Sequence, residues 1–126
     1  MGYYTRYELE VKEGNSYLIA SKMFEECSSS DKFYAFEYAL EDFIKDLDEK
    51  SGNGFSLFLE STDETKWYEH EDDMKFLSNQ FPDILFKLHG EGEEKGDVWD
   101  KYFINGKMQH CHAVMTIPSF DKNKLQ

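Results

Sequence analysis

The residues of this chain best suited to chemistry lie in its last third. His110-Cys111-His112 is the most metal-like cluster. On a strand the two imidazoles share a face and can reach one ion, while the Cys111 thiol points the other way. A third ligand would have to be His89 or His70. Two histidines two apart on a solvated strand face are commoner than a metal site, so no metal is expected. Gly90-Glu91-Gly92-Glu93-Glu94-Lys95-Gly96 has the glycine content of a phosphate-cradling loop. Its three carboxylates would repel a phosphate, and no helix N-terminus follows to supply N–H donors. Asp97 and Asp100 do not meet the spacing of a calcium loop either. The stretch reads as a charged hairpin loop, free to contact a protein. No Ser/His or Cys/His nucleophile signature is present. Carboxylates this numerous fall at glycosidase spacing by chance, so their pairing carries no information. The expectation is a protein that is not an enzyme, with no catalytic residue and no cofactor.

Charge is the more informative property. The segment from Glu37 to Asp100 holds nineteen of the 26 acidic residues and six of the 14 basic ones, while the flanks nearly cancel. A sheet of negative potential on a small domain repels nucleic acid and speeds association with basic partners. The competing reading is a coat that only keeps the protein soluble. Trp67, Trp99 and the tyrosines near the start could stack bases, but base stackers work with cations that track the backbone. Arg6 is the single arginine, so direct nucleic-acid binding is not expected.

The elements that must position these groups follow from length and periodicity. At 126 residues with 17% aromatics the chain is one domain, residues 1–120, with a frayed polar tail at 121–126. No apolar run approaches the ~18–20 residues that span a bilayer, and the start lacks the apolar core of a signal peptide. Position 6 also lacks the Ser or Thr that myristoylation favours. Cys27 and Cys111 read as free buried thiols, and cytoplasm is the default compartment.

Tyr3 to Lys12 alternates as an amphipathic strand. Residues 16–27 fit either a helical stripe (Tyr17, Ala20, Phe24, Cys27) after Ser16 or a continued strand. Ser28-Ser29-Ser30-Asp31 is a helix-start cluster, and Phe33, Phe36, Leu40, Phe43, Ile44 and Leu47 then repeat every three or four residues to Lys50. Phe55–Glu60 reads as a short buried strand. Asp63-Glu64 opens a second helix through Trp67, His70, Met74, Leu77 and Phe81, stopped by Pro82. Strands follow at 84–89, 98–104 and 108–117. Asn105-Gly106 between the last two is the signal for a type I′ turn. The fold class is α+β: two helices on one face of a mixed sheet of about five strands, closing in a C-terminal β-meander. Ferredoxin-like packing is the nearest plan.

Thr65-Lys66-Trp67, Leu77-Ser78-Asn79-Gln80-Phe81-Pro82-Asp83, Phe86-Lys87-Leu88, the Glu/Gly turn and Tyr102-Phe103-Ile104-Asn105-Gly106-Lys107 occur in that order. Together they resemble the Api92-like, YubB-type ferredoxin-like proteins of phages, plasmids and other mobile elements. In that family a Trp-Gly pair usually precedes Thr-Lys-Trp, whereas here Asp63-Glu64 does. The resemblance implies the fold and a mobile-element origin, and it brings no catalytic residues.

Charge and resemblance together lead to one expectation: a phage or mobile-element protein that binds a basic host protein in the bacterial cytoplasm. CRISPR effectors and other antiphage defence proteins are the foremost targets, which would make the chain an anti-CRISPR or other anti-defence inhibitor. Such machines expose Lys/Arg channels that bind backbones by charge, and spaced carboxylates can occupy them. The expected carriers are Glu41, Asp42, Asp46, Glu69, Glu71, Asp72, Asp73, Glu91, Glu93, Glu94, Asp97 and Asp100. The alternative is a module, dimeric in one version, whose open sheet face with Tyr and His side chains sequesters a nucleotide or amino acid. A concave pocket with converging polar groups would favour that reading; a flat acidic face would favour protein binding.

Overall fold

The computed structural model of the chain describes residues 4–46, 56–61, 65–114 and 117–126, with the Asp46 side chain outside that set. β1 (Thr5–Val11) alternates as its sequence demands. Tyr7, Leu9 and Val11 are buried, and Arg6, Glu8 and Glu10 lie on the opposite face.

The ambiguous stretch after it is a helix, α1 (Ser16–Ser30). The Asn15 side chain caps it, accepting the Leu18 N–H at 3.1 Å. Ile19, Ala20, Met23 and Cys27 form its buried stripe. The serine cluster expected to start a helix therefore ends one. The Ser29 and Ser30 hydroxyls donate back to the carbonyls of Glu25 and Glu26, the i−4 bond open to any helical serine. Asp31 (φ 59°) and Phe33 (φ 60°) then turn left-handed. A short 3₁₀ turn at Tyr34–Phe36 leads into α2 (Glu37–Asp46).

The single helix expected over 31–50 thus begins later, at Glu37, and the described residues hold three α-helices rather than two. The cause is tertiary. Phe33 is fully buried, edge-on to Trp67, and its N–H points at the Asp73 carboxylate. Leu47, the helix end at Lys50 and Phe55 lie outside the described residues.

β2 (Leu57–Glu60), α3 (His70–Gln80), β3 (Phe86–Gly92), β4 (Val98–Ile104) and β5 (Lys107–His112) complete the layers. α3 begins later than the expected Asp63-Glu64, which lies outside the described residues. Thr65 exchanges both backbone hydrogen bonds with Thr5, at 2.9 and 3.0 Å, and this holds the chain extended up to Trp67. The Asn105-Gly106 turn has the two positive φ values, 48° and 75°, of the expected type I′ geometry. β5 stops at His112, short of the expected 117.

The five strands run in the order β2-β1-β3-β4-β5 and every neighbouring pair is antiparallel, so the sheet is not mixed. The reason is that β1 sits between the two strands α3 connects. β2 and β3 are mutually parallel only across it, a split β-α-β unit. One face of the sheet packs on the helices through Leu9, Leu59, Phe86, Leu88, Trp99 and Phe103. No helix among the described residues is long and apolar enough to cross a membrane.

Candidate functional site: an acidic rim carrying tyrosines

The segment Thr65–His70 is anchored first, and it then carries the surface groups. Trp67 is fully buried, and its indole N–H donates to Asp73 Oδ2 at 2.8 Å. Its carbonyl accepts the Tyr7 hydroxyl at 3.2 Å and lies 2.8 Å from His70 Nδ1. A carbonyl only accepts, so Nδ1 carries the proton and Nε2 is free to accept from Lys101 Nζ at 2.7 Å. The same ammonium reaches Glu71 Oε2 at 2.6 Å and sits 4.3 Å over the Trp99 ring. Lys101 is only 6% exposed, and these partners satisfy it. Burial, with the Lys101 charge beside it, lowers the His70 pKa against the raising effect of the Trp67 carbonyl. The hydrogen bond from Lys101 lowers that of Glu71, and burial pushes the Tyr7 hydroxyl up to about 12. The network fixes the first turn of α3, so Glu69 and Asp72 project from a rigid base.

Next to that turn runs a strip of tyrosines and carboxylates. The Tyr4 N–H donates to Glu93 Oε1 at 3.0 Å, and Lys66 Nζ lies 4.9 Å over the Tyr4 ring. The Tyr34 hydroxyl donates to the Lys66 carbonyl. Burial raises the Tyr34 pKa, and Glu69 and then Asp73 add to it. Glu93, Tyr4, Lys66, Tyr34 and Glu69 therefore form one continuous rim, with the exposed Tyr68 beside it.

The expected carboxylates divide by environment. Glu41 and Asp42 on α2, Glu69 and Asp72 at the start of α3, and Glu93 are exposed and form no ion pair among the described residues. Glu94 is exposed in the β3–β4 turn. Glu91 is committed to Arg6 at 2.6 Å, Asp100 to His89 at 2.7 Å, Asp97 to His112 at 3.4 Å and Glu71 to Lys101. Asp73 is not a surface group at all. It is 7% exposed and receives the Trp67 and Phe33 N–H groups, so its charge is spent on the fold. Asp46 ends α2 and its side chain lies outside the described residues.

The histidines do not converge. His110 and His112 share a face with 6.0 Å between ring centroids, but His70 has both nitrogens engaged and His89 stands on the opposite face beside Asp100. No group of three His, Cys, Asp or Glu able to hold a metal ion occurs among the described residues. Cys27 is buried as expected; Cys111 is exposed, on the open sheet face at the edge strand. That open face bears Glu8, Glu10, Phe58, Lys87, His89 and Tyr102. Its hollows are shallow. One of about 270 Å³ is walled by Glu10, Lys12, Glu13, Leu85, Lys87 and Tyr102. Another of about 400 Å³ is walled by Arg6, Glu91, Gly92 and Glu93 and lacks the apolar lining that small-molecule sites use.

Of the rim tyrosines, Tyr4 belongs to the N-terminal group weighed above as base stackers, whereas Tyr34 and Tyr68 are not singled out by spacing or motif. Tyr4, Tyr34 and Tyr68 are far apart in the chain and fall outside any periodic stripe. A local signal exists at Tyr68, which adjoins Glu69 and follows Lys66 by two; Tyr34 stands between Phe33 and Ala35 and has none. Compared with known proteins, the chain matches no family model, no curated sequence and no solved structure.

Proposed function

We propose that this chain is a non-enzymatic binding protein whose acidic rim docks on a Lys/Arg-rich protein surface that itself holds a nucleic-acid backbone, and thereby blocks it. One observation carries the reading: the rim around Tyr4, Lys66 and Tyr34 joins carboxylates without an ion pair among the described residues, Glu69 and Glu93, to exposed aromatic rings. Lys66 over Tyr4 illustrates how a cation uses such a ring. Aromatic anchors with charges around them are the composition of a protein interface, and carboxylates speed the encounter with a basic partner. Asp72 extends the same potential along α3, and Glu41 and Asp42 add to it on α2.

The narrower identity belongs to this proposal too: a phage or mobile-element protein acting in the host cytoplasm against a CRISPR effector or another defence protein. It rests on the resemblance over residues 65–109. The ferredoxin-like plan draws support from the split β-α-β unit of β2, α3 and β3 around β1.

The test is affinity capture from a bacterial lysate with the parent chain and with Glu69→Gln/Asp72→Asn/Glu93→Gln in parallel. Retention of nucleic-acid-binding proteins by the parent, lost in the variant and displaced by added duplex DNA, supports the reading. Equal retention by both chains, or bound proteins that DNA does not displace, overturns it.

A further inference from the structure

α3 starts without the side-chain cap that α1 has. Its N-cap residue is Glu69, whose side chain accepts no capping hydrogen bond among the described residues, whereas Asn15 caps α1. The first turn of α3 is held from the side instead. His70 Nδ1 donates to the Trp67 carbonyl, while His70 Nε2 and Glu71 Oε2 both accept from Lys101 Nζ. An ammonium has three protons. Those of Lys101 have His70, Glu71 and the face of Trp99, 4.3 Å away, as their three acceptors.

The groups around His70 leave it little room for charge. α3 supplies Glu71 and Asp73, β4 supplies Lys101, and β1 supplies the Tyr7 ring, 5.5 Å from the imidazole. The Tyr7 hydroxyl, pushed up to about 12 by burial, stays neutral. On β5, His110 stands across the strand pair from Lys101. Asp73 holds the Trp67 and Phe33 N–H groups and Glu71 holds Lys101, so both carboxylates are engaged before a proton arrives. A proton taken from solvent onto the Nε2 lone pair leaves one Lys101 proton without its acceptor at a site only 6% exposed. It also sets a second cation beside the first, at the positive end of a helix. One side must move. β4 is paired along both edges, and Trp67 is fixed by Asp73 and by the Thr65–Thr5 bonds just before it. The uncapped turn is the part that yields.

We propose that His70, Glu71 and Lys101 form an acid-sensitive latch on the first turn of α3. Protonation of His70 opens residues 68–72 while the sheet and the rest of α3 stay folded, and the rim loses the fixed placement of Tyr68, Glu69 and Asp72. That consequence for the rim rests on the binding role proposed above. Burial, with the Lys101 charge, lowers the His70 pKa from 6.5 against the Trp67 carbonyl. The shut state is therefore the neutral one. Opening is favoured by up to about tenfold per pH unit as pH falls from the ordinary value towards the folded-state one.

Histidine NMR and amide exchange on the full chain test it. At neutral pH the His70 ring should be the neutral Nδ1–H tautomer. The Asp73 N–H, bonded to the Glu69 carbonyl at 2.9 Å, should lose protection on acidification by up to about tenfold per pH unit after correction for intrinsic rates. The β3 and β4 amides should keep theirs. His70→Gln should show no such loss, and Lys101→Met, which removes the opposing cation, should open less steeply. The variant His89→Gln/His110→Gln/His112→Gln, which leaves His70 as the single histidine, should open like the parent. An oligo-arginine peptide should bind the parent severalfold more weakly at about pH 5.5 than at about pH 7.5, and His70→Gln equally at both. Opening on acidification with no peptide bound at either pH supports the latch and overturns the rim reading. Opening with peptide binding unchanged overturns the link to the rim. An Nε2–H tautomer, Asp73 protection indifferent to pH, or opening that persists in His70→Gln overturns the latch.

Discussion

The Lys101 ammonium donates to His70 Nε2 at 2.7 Å, an arrangement that only a neutral imidazole permits. Protonating His70 removes that acceptor and sets a second cation against a buried lysine.

Stability should accordingly fall on acidification, and the sign follows from linkage. The His70 pKa is lowered below its ordinary 6.5, chiefly by burial. Its contribution is therefore present above that value and is lost as pH falls through the folded-state pKa. Glu71 is lowered from 4.5, chiefly by the Lys101 hydrogen bond, so its contribution survives until more acidic pH. Denaturant unfolding between about pH 7.5 and pH 5 should show the His70 loss before that of Glu71. His70→Gln should be less stable than the parent at neutral pH and flatter across this range. An identical slope for both chains would show that His70 stays neutral at no cost.

Core burial separates two phenylalanines that look equivalent on one helical stripe. Phe36 is fully buried against Trp67, with ring centroids 5.4 Å apart, whereas Phe43 is only partly buried at the edge of the core. Phe36→Ala should cost ~3–5 kcal/mol, and Phe43→Ala clearly less because its site is already partly wet. Equal losses by thermal or denaturant unfolding would mean that both rings fill the same core.

What was legible in the sequence is instructive at the helix boundary. The β1 alternation, the Asn105-Gly106 turn and the Met74/Leu77 face are local signals, and the fold honours them. The serine cluster failed as a guide because the same hydroxyls that cap a helix start also bond back to i−4 carbonyls at a helix end. What decides between the two is the Asp73 carboxylate, 40 residues away, which draws in the Phe33 N–H. No local pattern contains that. The rim was half legible for the same reason. Acid content showed in the composition, but which carboxylates face outward depends on Arg6, His89, Lys101 and His112 meeting their partners across strands.

Two glycines should be intolerant for different reasons. Gly90 lies opposite Trp99, and a methyl group at its Cα would enter the indole ring. Gly90→Ala should displace Trp99, which changes its fluorescence and loosens the cation–π contact with Lys101. Gly106 has φ 75°, and its N–H donates to Ser78 Oγ at 2.8 Å. Gly106→Val should strain the turn, because a β-branched residue resists positive φ, and should destabilise the β4–β5 hairpin. Unchanged fluorescence in the first variant, or unchanged melting in the second, would contradict the geometry at that glycine.

The rim makes the sharpest functional prediction, because one acidic segment contains carboxylates of opposite character. Glu69, Asp72 and Glu93 are exposed and form no ion pair among the described residues. Replacing them with Gln, Asn and Gln should change stability by no more than about 0.5 kcal/mol. It should slow association with a basic partner about tenfold at low salt, with the difference shrinking as ionic strength passes ~0.15 M and the Debye length falls to ~8 Å. Asp73 lies next to Asp72 in the chain yet holds the Trp67 and Phe33 N–H groups. Asp73→Ala should cost ~1–3 kcal/mol for the donors left unpaired. At temperatures where that variant stays folded, its association rate should match the parent's. Stopped-flow or surface-binding kinetics on both variants, read beside their unfolding curves, separates the two roles. If the exposed triple variant associates as fast as the parent, the acidic segment serves solubility alone. If Asp73→Ala slows association without loss of stability, the carboxylate is a binding group and its buried position is wrong.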